Sequence, residues 1–381
     1  MGATSYPKCV AIIAGETSGD QHGARVVTAM RTRHPDLFFC GIGGPALREA
    51  GVRIVLDASE LTVVGITEVL SKIPAILKAM GIFKKLLRGL KPDLLILIDF
   101  PDFNLRMAAT AKKLGIPVLY YISPQIWAWR PGRVKRIGKL VDHMAVILPF
   151  EERFYKEHGV AVTFVGHPLL DFQLPAPAEI IGNRIKDGLI IGLLPGSRDN
   201  EIRQHLPVML AAADILKARL KNVKFKISHA PSVDRNRIER LVGTHRQREE
   251  FEVVSNGVEK VFQQSDLIVA ASGTVTLQAA IHGVPMVIMY KVSPLSYWLG
   301  RALIRVKHIG LVNLVAGKEL APELVQAKAS ALNIASAIEQ MCNDADGLNR
   351  VRQQLRALRH LLGGAGASER VADIAFELLG R

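Results

Sequence analysis

Hydrophobic and polar positions fall into two rhythms along the chain. Short apolar runs rich in Val, Ile and Leu recur, among them Cys9–Ala14, Leu37–Gly41, Leu94–Ile98, Val118–Ile122, His143–Leu148, Val162–Val165 and Leu189–Leu194. Runs of strand length without polar alternation read as strands buried on both faces of a parallel sheet. Between them apolar residues return every third or fourth position, as in helices packed by one face. This alternation predicts an α/β chain of doubly wound sheets. It continues to about Tyr290. From Glu323 onward the pattern reads as helical, broken at Gly363-Gly364-Ala365-Gly366, with a last helix from about Ser368 to Leu379.

Leu61 to Leu90 stands apart. Val69, Ile73, Ile76, Leu77, Met80, Phe83, Leu86 and Leu87 keep helical spacing, and Lys72, Lys78, Lys84, Lys85, Arg88 and Lys91 are interleaved. A helix packed on a sheet with a basic outer face fits. So does an interfacial helix that meets anionic lipid, through Val69, Ile73, Leu77, Lys84, Lys85 and Arg88. Pro74 is expected to break the helix or start a new one.

At 381 residues the chain is long for one core. The segment with Pro175 and Pro177, after Gly166-His167-Pro168, marks the expected boundary. It gives domains 1–170 and 171–364, with a helix of about 365–381 able to pack back on the first. The formal charge of +14 favours nucleic acid, an anionic membrane or phosphorylated ligands. Aromatics are only 6% and no zinc-finger or stacked-aromatic RNA pattern occurs, so no nucleic-acid partner is expected. Cys9, Cys40 and Cys342 are far apart in sequence, have no metal-ligand spacing, and read as reduced thiols of a cytosolic protein. No apolar run is long enough to span a bilayer, so any membrane contact is expected to be peripheral.

Candidate chemistry gathers where apolar runs end. Leu189–Leu194 is followed by Pro195-Gly196-Ser197-Arg198, then by a helix expected from about Glu201 to Leu220 with Asp199 or Asn200 as its cap. Strand, Gly turn and helix start make an anion site, and Arg198 adds a planar fork of donors. An ordinary turn with a solvated arginine reads the same residues. A second strand–turn–helix, Leu267 to Gln278, places Ser272, Gly273 and Thr274 at a helix start. Two such sites suit a diphosphate such as that of a UDP-sugar. Gly15-Glu16-Thr17-Ser18-Gly19-Asp20 follows the first run but is not a dinucleotide fingerprint. Asp99 directly follows Leu94–Ile98, where ligands of open parallel sheets bind. A carboxylate there is either a brace or a catalytic base. Asp102 is expected to cap a helix from Asn104, His22 to lie on a helix face, and Trp127 and Trp129 to fill the core or line an acyl or sugar site. Asp344-Ala345-Asp346 spells a metal motif but lies in a polar turn, not after a core strand.

Taken in order, Gly15–Asp20 with Gly23-Ala24, Asp99-Phe100-Pro101-Asp102-Phe103-Asn104, Ser123–Arg130, Leu148-Pro149-Phe150-Glu151, Gly166-His167, Leu194–Arg198, Ser272-Gly273-Thr274 and Asn313–Gly317 resemble lipid-A-disaccharide synthase over nearly the whole chain. The resemblance implies a GT-B glycosyltransferase: two Rossmann-like domains with a cleft between them, acceptor on the N-terminal side and UDP-sugar on the C-terminal side. The reaction it implies joins UDP-2,3-diacylglucosamine to 2,3-diacylglucosamine 1-phosphate with inversion, giving the β-1,6 disaccharide 1-phosphate and UDP. It would run in the cytoplasm at the anionic surface of the inner membrane. No cofactor or metal is expected, because cationic and backbone donors can neutralise the leaving diphosphate. A homo-oligomer is compatible with this reading.

Asp99 is then the expected base. Gly196, Ser197, Arg198, Ser272, Gly273, Thr274, Gln278 and Asn313 are expected on the donor. Glu16, Ser18, Gly19, Asp20, Gly44, Glu68, Asn104, Ser123, Gln125 and Trp127 are expected on the acceptor side. The chain departs from the family pattern at Gln278, where many members carry Glu, and at Val64 and Val312. Two other classes stay open: a related UDP-N-acetylglucosamine enzyme (another lipid-carrier transferase or a 2-epimerase), and a non-catalytic module binding anionic lipid or nucleic acid.

Overall fold

The computed structural model describes residues 8–60, 66–172 (backbone only as far as 72), 188–220, 222–245, 248–255, 257–292 and 307–380. Residues 61–65 with Val64, the segment holding Pro175 and Pro177, and the side chains of Glu68 and Val69 lie outside this description. The apolar runs form strands as their composition requires. β1 (Cys9–Ala14), β2 (Phe38–Gly43), β3 (Arg53–Asp57), β4 (Leu94–Ile98), β5 (Val118–Tyr121), β6 (His143–Val146) and β7 (Val162–Phe164) make one parallel sheet in the order β3-β2-β1-β4-β5-β6-β7. β8 (Leu189–Leu194), β9 (Val223–Ser228), β10 (Phe251–Val254), β11 (Leu267–Ala271), β12 (Met286–Tyr290) and β13 (Glu323–Val325) make a second in the order β10-β9-β8-β11-β12-β13. Each is the doubly wound Rossmann order, in which the chain reverses direction beside the first strand.

The chain divides into two compact units, Met1–Phe172 with Leu362–Arg381, and Gln173–Leu361. In the first, period-two alternation sorts the side chains. Ala11, Ile13, Leu95 and Leu97 meet Met80, Phe83, Leu87, Met107 and Ile137 on one face. Val10, Ile12, Leu94 and Ile96 meet Val26, Met30, Val371, Ala375 and Leu378 on the other. The last helix, Ala367–Leu379, therefore covers the first sheet. Asp171 accepts from the N–H groups of Gly366 (2.7 Å), Ala367 and Ser368 at its start. In the second unit, Leu189, Ile191 and Leu193 pack on Leu206, Met209, Leu216 and Ile334.

Two local expectations need correction, and the cysteines fall as expected in being free. Pro74 does not break its helix, which runs from Ile66 to Leu90. Pro74 itself lies in an exposed stretch of that helix. Glu323–Val325 is an edge strand on β12, and helix resumes only at Ala331. Its Glu323 carboxylate ties down the N–H groups of Ile309 and Gly310. Cys9 and Cys40, distant in sequence, sit on the paired strands β1 and β2. All three cysteines are free.

Candidate active site

The second sheet reverses direction between β8 and β11, so the loops after these two strands open a crevice. β8 ends in Pro195 and then Gly196 at φ +124, a conformation and a closeness to the Glu201 carboxylate that only glycine accepts. The helix starts at Asp199 with Arg198 as its N-cap and no side-chain cap. Asp199, one of the expected caps, instead pairs with Arg237 at 2.6 Å. The loop is pinned from several sides. Ser197 N–H donates to Glu201 Oε2 (2.8 Å), Ser232 Oγ donates to Ser197 O (2.7 Å), and His205 Nδ1 lies 2.8 Å from Pro195 O. The Ser197 N–H is therefore engaged rather than free. Arg198 stays mostly exposed, 3.7 Å from Glu201.

Across the crevice, β11 ends at Ala271. Ser272 N–H bonds Met289 O (3.0 Å), and its hydroxyl bonds Ile309 O (3.3 Å). Among the described residues the N–H groups of Gly273 and Thr274 have no partner, just before the helix Val275–Ile281. Unpaired N–H groups before a helix point their partial positive charge outward and can accept an anion. A cavity of about 690 Å³ joins both loops, within the range of ligand pockets. It is lined by Gly196, Ser197, Arg198, Ser272, Gly273, Thr274 and Gln278, all expected on the donor. It also takes in Glu201, Ser228, His229, Ala230, Pro231, Gly257 and Val258. Ser228 ends β9 and His229 to Pro231 follow it, so they could have been read from that strand's end; Gly257 and Val258 carried no signal. Asn313 is elsewhere. It is fully buried, with its amide donating to Ala321 O (2.7 Å) and Glu323 (2.8 Å) and accepting from Leu320 N–H (2.8 Å).

In the first unit the corresponding reversal lies between β1 and β4. Asp99 and Phe100 are consecutive residues in the left-handed region, φ +45 and +47. Tyr120 Oη (2.6 Å) and Asn104 Nδ2 (2.6 Å) both donate to Asp99 O, and Asn104 also donates to Ile98 O (3.1 Å). Asn104 therefore shapes the Asp99 backbone. Burial, then the nearby Glu16 carboxylate, push the Asp99 carboxyl up to about 6, while the Phe100 N–H opposes them. Gly15 leaves room for the Phe100 ring against the end of β1.

The other acceptor-side candidates divide. Glu16 and Ser18 are exposed at the start of the first helix, and Gly19 packs beside Ile98. Asp20 is buried and caps a neighbouring helix, accepting from Gly44 (2.6 Å), Ala46 (2.9 Å) and Leu47 N–H. Ser123 is buried against Tyr155 Oη at 2.7 Å. Gln125 is exposed. Trp127 donates to Glu151 Oε1 at 3.0 Å. That fully buried Glu151 is pushed up to about 7 by desolvation, against the N–H donors of Leu148 and Trp127. Asp102 is not a cap, since the helix begins at Pro101; it pairs with Arg133 at 3.0 Å. His22 sits half-buried on a helix face, lowered to about 4 by burial and by Arg25. Tyr120, Phe100 and Glu151 were not anticipated as parts of the site.

A family model described as lipid-A-disaccharide synthetase matches residues 10–373. The chain belongs to the lipid-A-disaccharide synthase family. It is 47% identical over 384 residues to the lipid-A-disaccharide synthase of Geobacter metallireducens, covering 99% of each chain. To that of Syntrophus aciditrophicus it is 47% identical over 377 residues, covering 98% of each. Among solved structures it is similar to MurG of Acinetobacter baumannii, with TM-score 0.60, 16% identity and 97% and 100% of the two chains covered. The calicheamicin glycosyltransferase CalG4 gives TM-score 0.62 at 16% identity, covering 99% of each chain. The fold is that of the GT-B glycosyltransferases, and the family is one of hexosyltransferases. Among the described residues no cluster of side chains could hold a metal, and no helix is long and apolar enough to cross a membrane.

Proposed function

We propose that the chain is an inverting glycosyltransferase that joins UDP-2,3-diacylglucosamine to the 6-hydroxyl of 2,3-diacylglucosamine 1-phosphate and releases UDP. The observation that carries this reading is the cavity at the ends of β8 and β11. There one arginine and the unpaired N–H groups of Gly273 and Thr274 share a single space. Departure of UDP builds negative charge on the diphosphate, and these donors meet it without a metal. Gln278 is read as a partner of the donor ribose. The first unit is read as the acceptor side, with Asp99 taking the proton of the attacking hydroxyl. A carboxyl at about 6 is mostly ionised at neutral pH and is a stronger base than a free one.

Both proposed substrates are acylated. The helix Ile66–Leu90 leaves Ile73 and Leu77 41% and 56% exposed, beside exposed Lys78, Lys85 and Arg88. This supports peripheral contact with an anionic membrane surface from the cytoplasmic side. The test is purified protein with both acylated sugars, read by mass spectrometry. The disaccharide 1-phosphate and UDP are expected in equal amounts. Absence of both, with turnover of non-acylated UDP-N-acetylglucosamine instead, would overturn the reading.

A further inference from the structure

His205 lies in the second turn of the helix Asp199–Arg219 and is only 3% exposed. Its ring spans two backbone carbonyls. Nδ1 is 2.8 Å from Pro195 O, and Nε2 is 3.1 Å from Lys291 O, just beyond β12. Carbonyls only accept, so the ring nitrogen that bonds Pro195 O, Nδ1, is the one that carries hydrogen there.

The Pro195 oxygen belongs to the peptide plane that joins Pro195 to Gly196. The described chain has no cis peptide bond, and in a trans peptide the N–H points opposite to the C=O. With the oxygen held inward by His205, the Gly196 N–H faces the other way. Among the described residues that N–H has no partner, and Gly196 lines the cavity. Gly196 is also the place where the plane could swivel, since glycine tolerates many backbone conformations and sits here at φ +124. The other anchors of the loop, Glu201 and Ser232, both bond Ser197, one residue beyond the swivel.

We infer that His205 is a positioning residue for the donor: by fixing the Pro195 carbonyl it aims the Gly196 N–H, and the loop up to Arg198, at the diphosphate of a nucleoside-diphosphate sugar. The inference rests on reading the cavity as the donor site.

Asparagine and glutamine separate the two bonds. In His205→Asn the amide nitrogen falls near the position of Nδ1 and keeps the Pro195 bond. In His205→Gln it falls near Nε2 and keeps the Lys291 bond instead. His205→Leu removes both. Steady-state kinetics should show the KM for UDP-2,3-diacylglucosamine raised about 10-fold in the Leu and Gln variants, the effect of one lost hydrogen bond. The acceptor KM should not change, and His205→Asn should restore the donor KM to within about twofold by the same bond. Thermal unfolding without UDP should rank the Asn and Gln variants together. Equal donor KM in the Asn and Gln variants would overturn the inference, as would a loss of stability with no change in donor KM. Arg198→Ala is the control. If it weakens UDP binding while the His205 series does not, only the positioning role fails. If it leaves UDP binding intact, the donor-site reading fails and takes this inference with it.

Discussion

At the scale of single residues, Asp99 combines a strained backbone with a raised pKa. Two successive non-glycine residues at positive φ are costly and persist only where neighbours over-determine them, as Tyr120 and Asn104 do here. If Asp99 is the base, kcat/KM should climb about tenfold per pH unit below about 6 and level off above it. Asp99→Asn should abolish that limb and lower turnover by roughly 10²–10⁴. Stability should move the opposite way. A carboxyl raised in the folded state above its free value of 3.8 favours the fold only as it takes up its proton. Its ionised form is a burden at pH 7.5, relieved as pH falls from about 6 toward 3.8. Asp99→Asn should therefore melt at or above the wild-type temperature at pH 7.5, with the difference fading in acid. A marked drop in melting temperature with near-normal turnover would make Asp99 a brace. Arg198→Ala should cost about 10²–10³ in kcat. It should leave thermal stability unchanged, because its exposed ion pair with Glu201 contributes little. Gln278→Glu should keep or improve donor binding; if Gln278→Ala leaves heat protection by UDP unchanged, the ribose assignment fails. The places of Asp99 and Arg198 after the central strands β4 and β8 were legible because each closely follows a pure apolar run. Asn313, Asp20 and Ser123 were not separable from them in sequence. A polar residue beside a strand looks the same whether it faces a cavity or satisfies buried backbone groups.

At the scale of elements, the helix Ile66–Leu90 serves the core and leaves an apolar stripe uncovered. Met80, Phe83 and Leu87 are buried, while Ile73 and Leu77 are not. If the stripe meets lipid, the protein should sediment with anionic vesicles in a salt-sensitive way. Replacing Lys84, Lys85 and Arg88 with Glu should release it, by about 1 kcal/mol or more per reversed charge. Circular dichroism should show the variant still folded. Sedimentation unaffected by these changes would leave the helix a purely structural one with a basic outer face. The periodicity gave this helix clearly, but not its continuity through Pro74. Edge strands were the least legible elements. Arg53–Asp57 carries charged residues at both ends and is buried unevenly, and Glu323–Val325 is only three residues long. Half-exposed strands lack the pure apolar run that marks a central one.

At the scale of the whole molecule, the strand–helix rhythm revealed two Rossmann-like sheets but could not give their strand order, which long-range pairing sets. That order puts the loops after β1 and β4, and after β8 and β11, at the two reversals where the proposed chemistry gathers. It also leaves the first sheet dependent on the far end of the chain. Arg33 pairs with Glu369 and Asp373, and Val371, Ala375 and Leu378 fill one face of the core. Ending the chain at Leu362 should therefore give poorly soluble protein that binds an apolar dye, although every proposed site residue remains. A soluble and active truncated enzyme would make the last helix dispensable. The same dependence orders events during translation. Residues 173–361 are contiguous and can close their core as they leave the ribosome. The unit begun by β1 must wait, one face only partly covered by Val26 and Met30, until the helix Ala367–Leu379 has been made, so the unit begun first closes after the other.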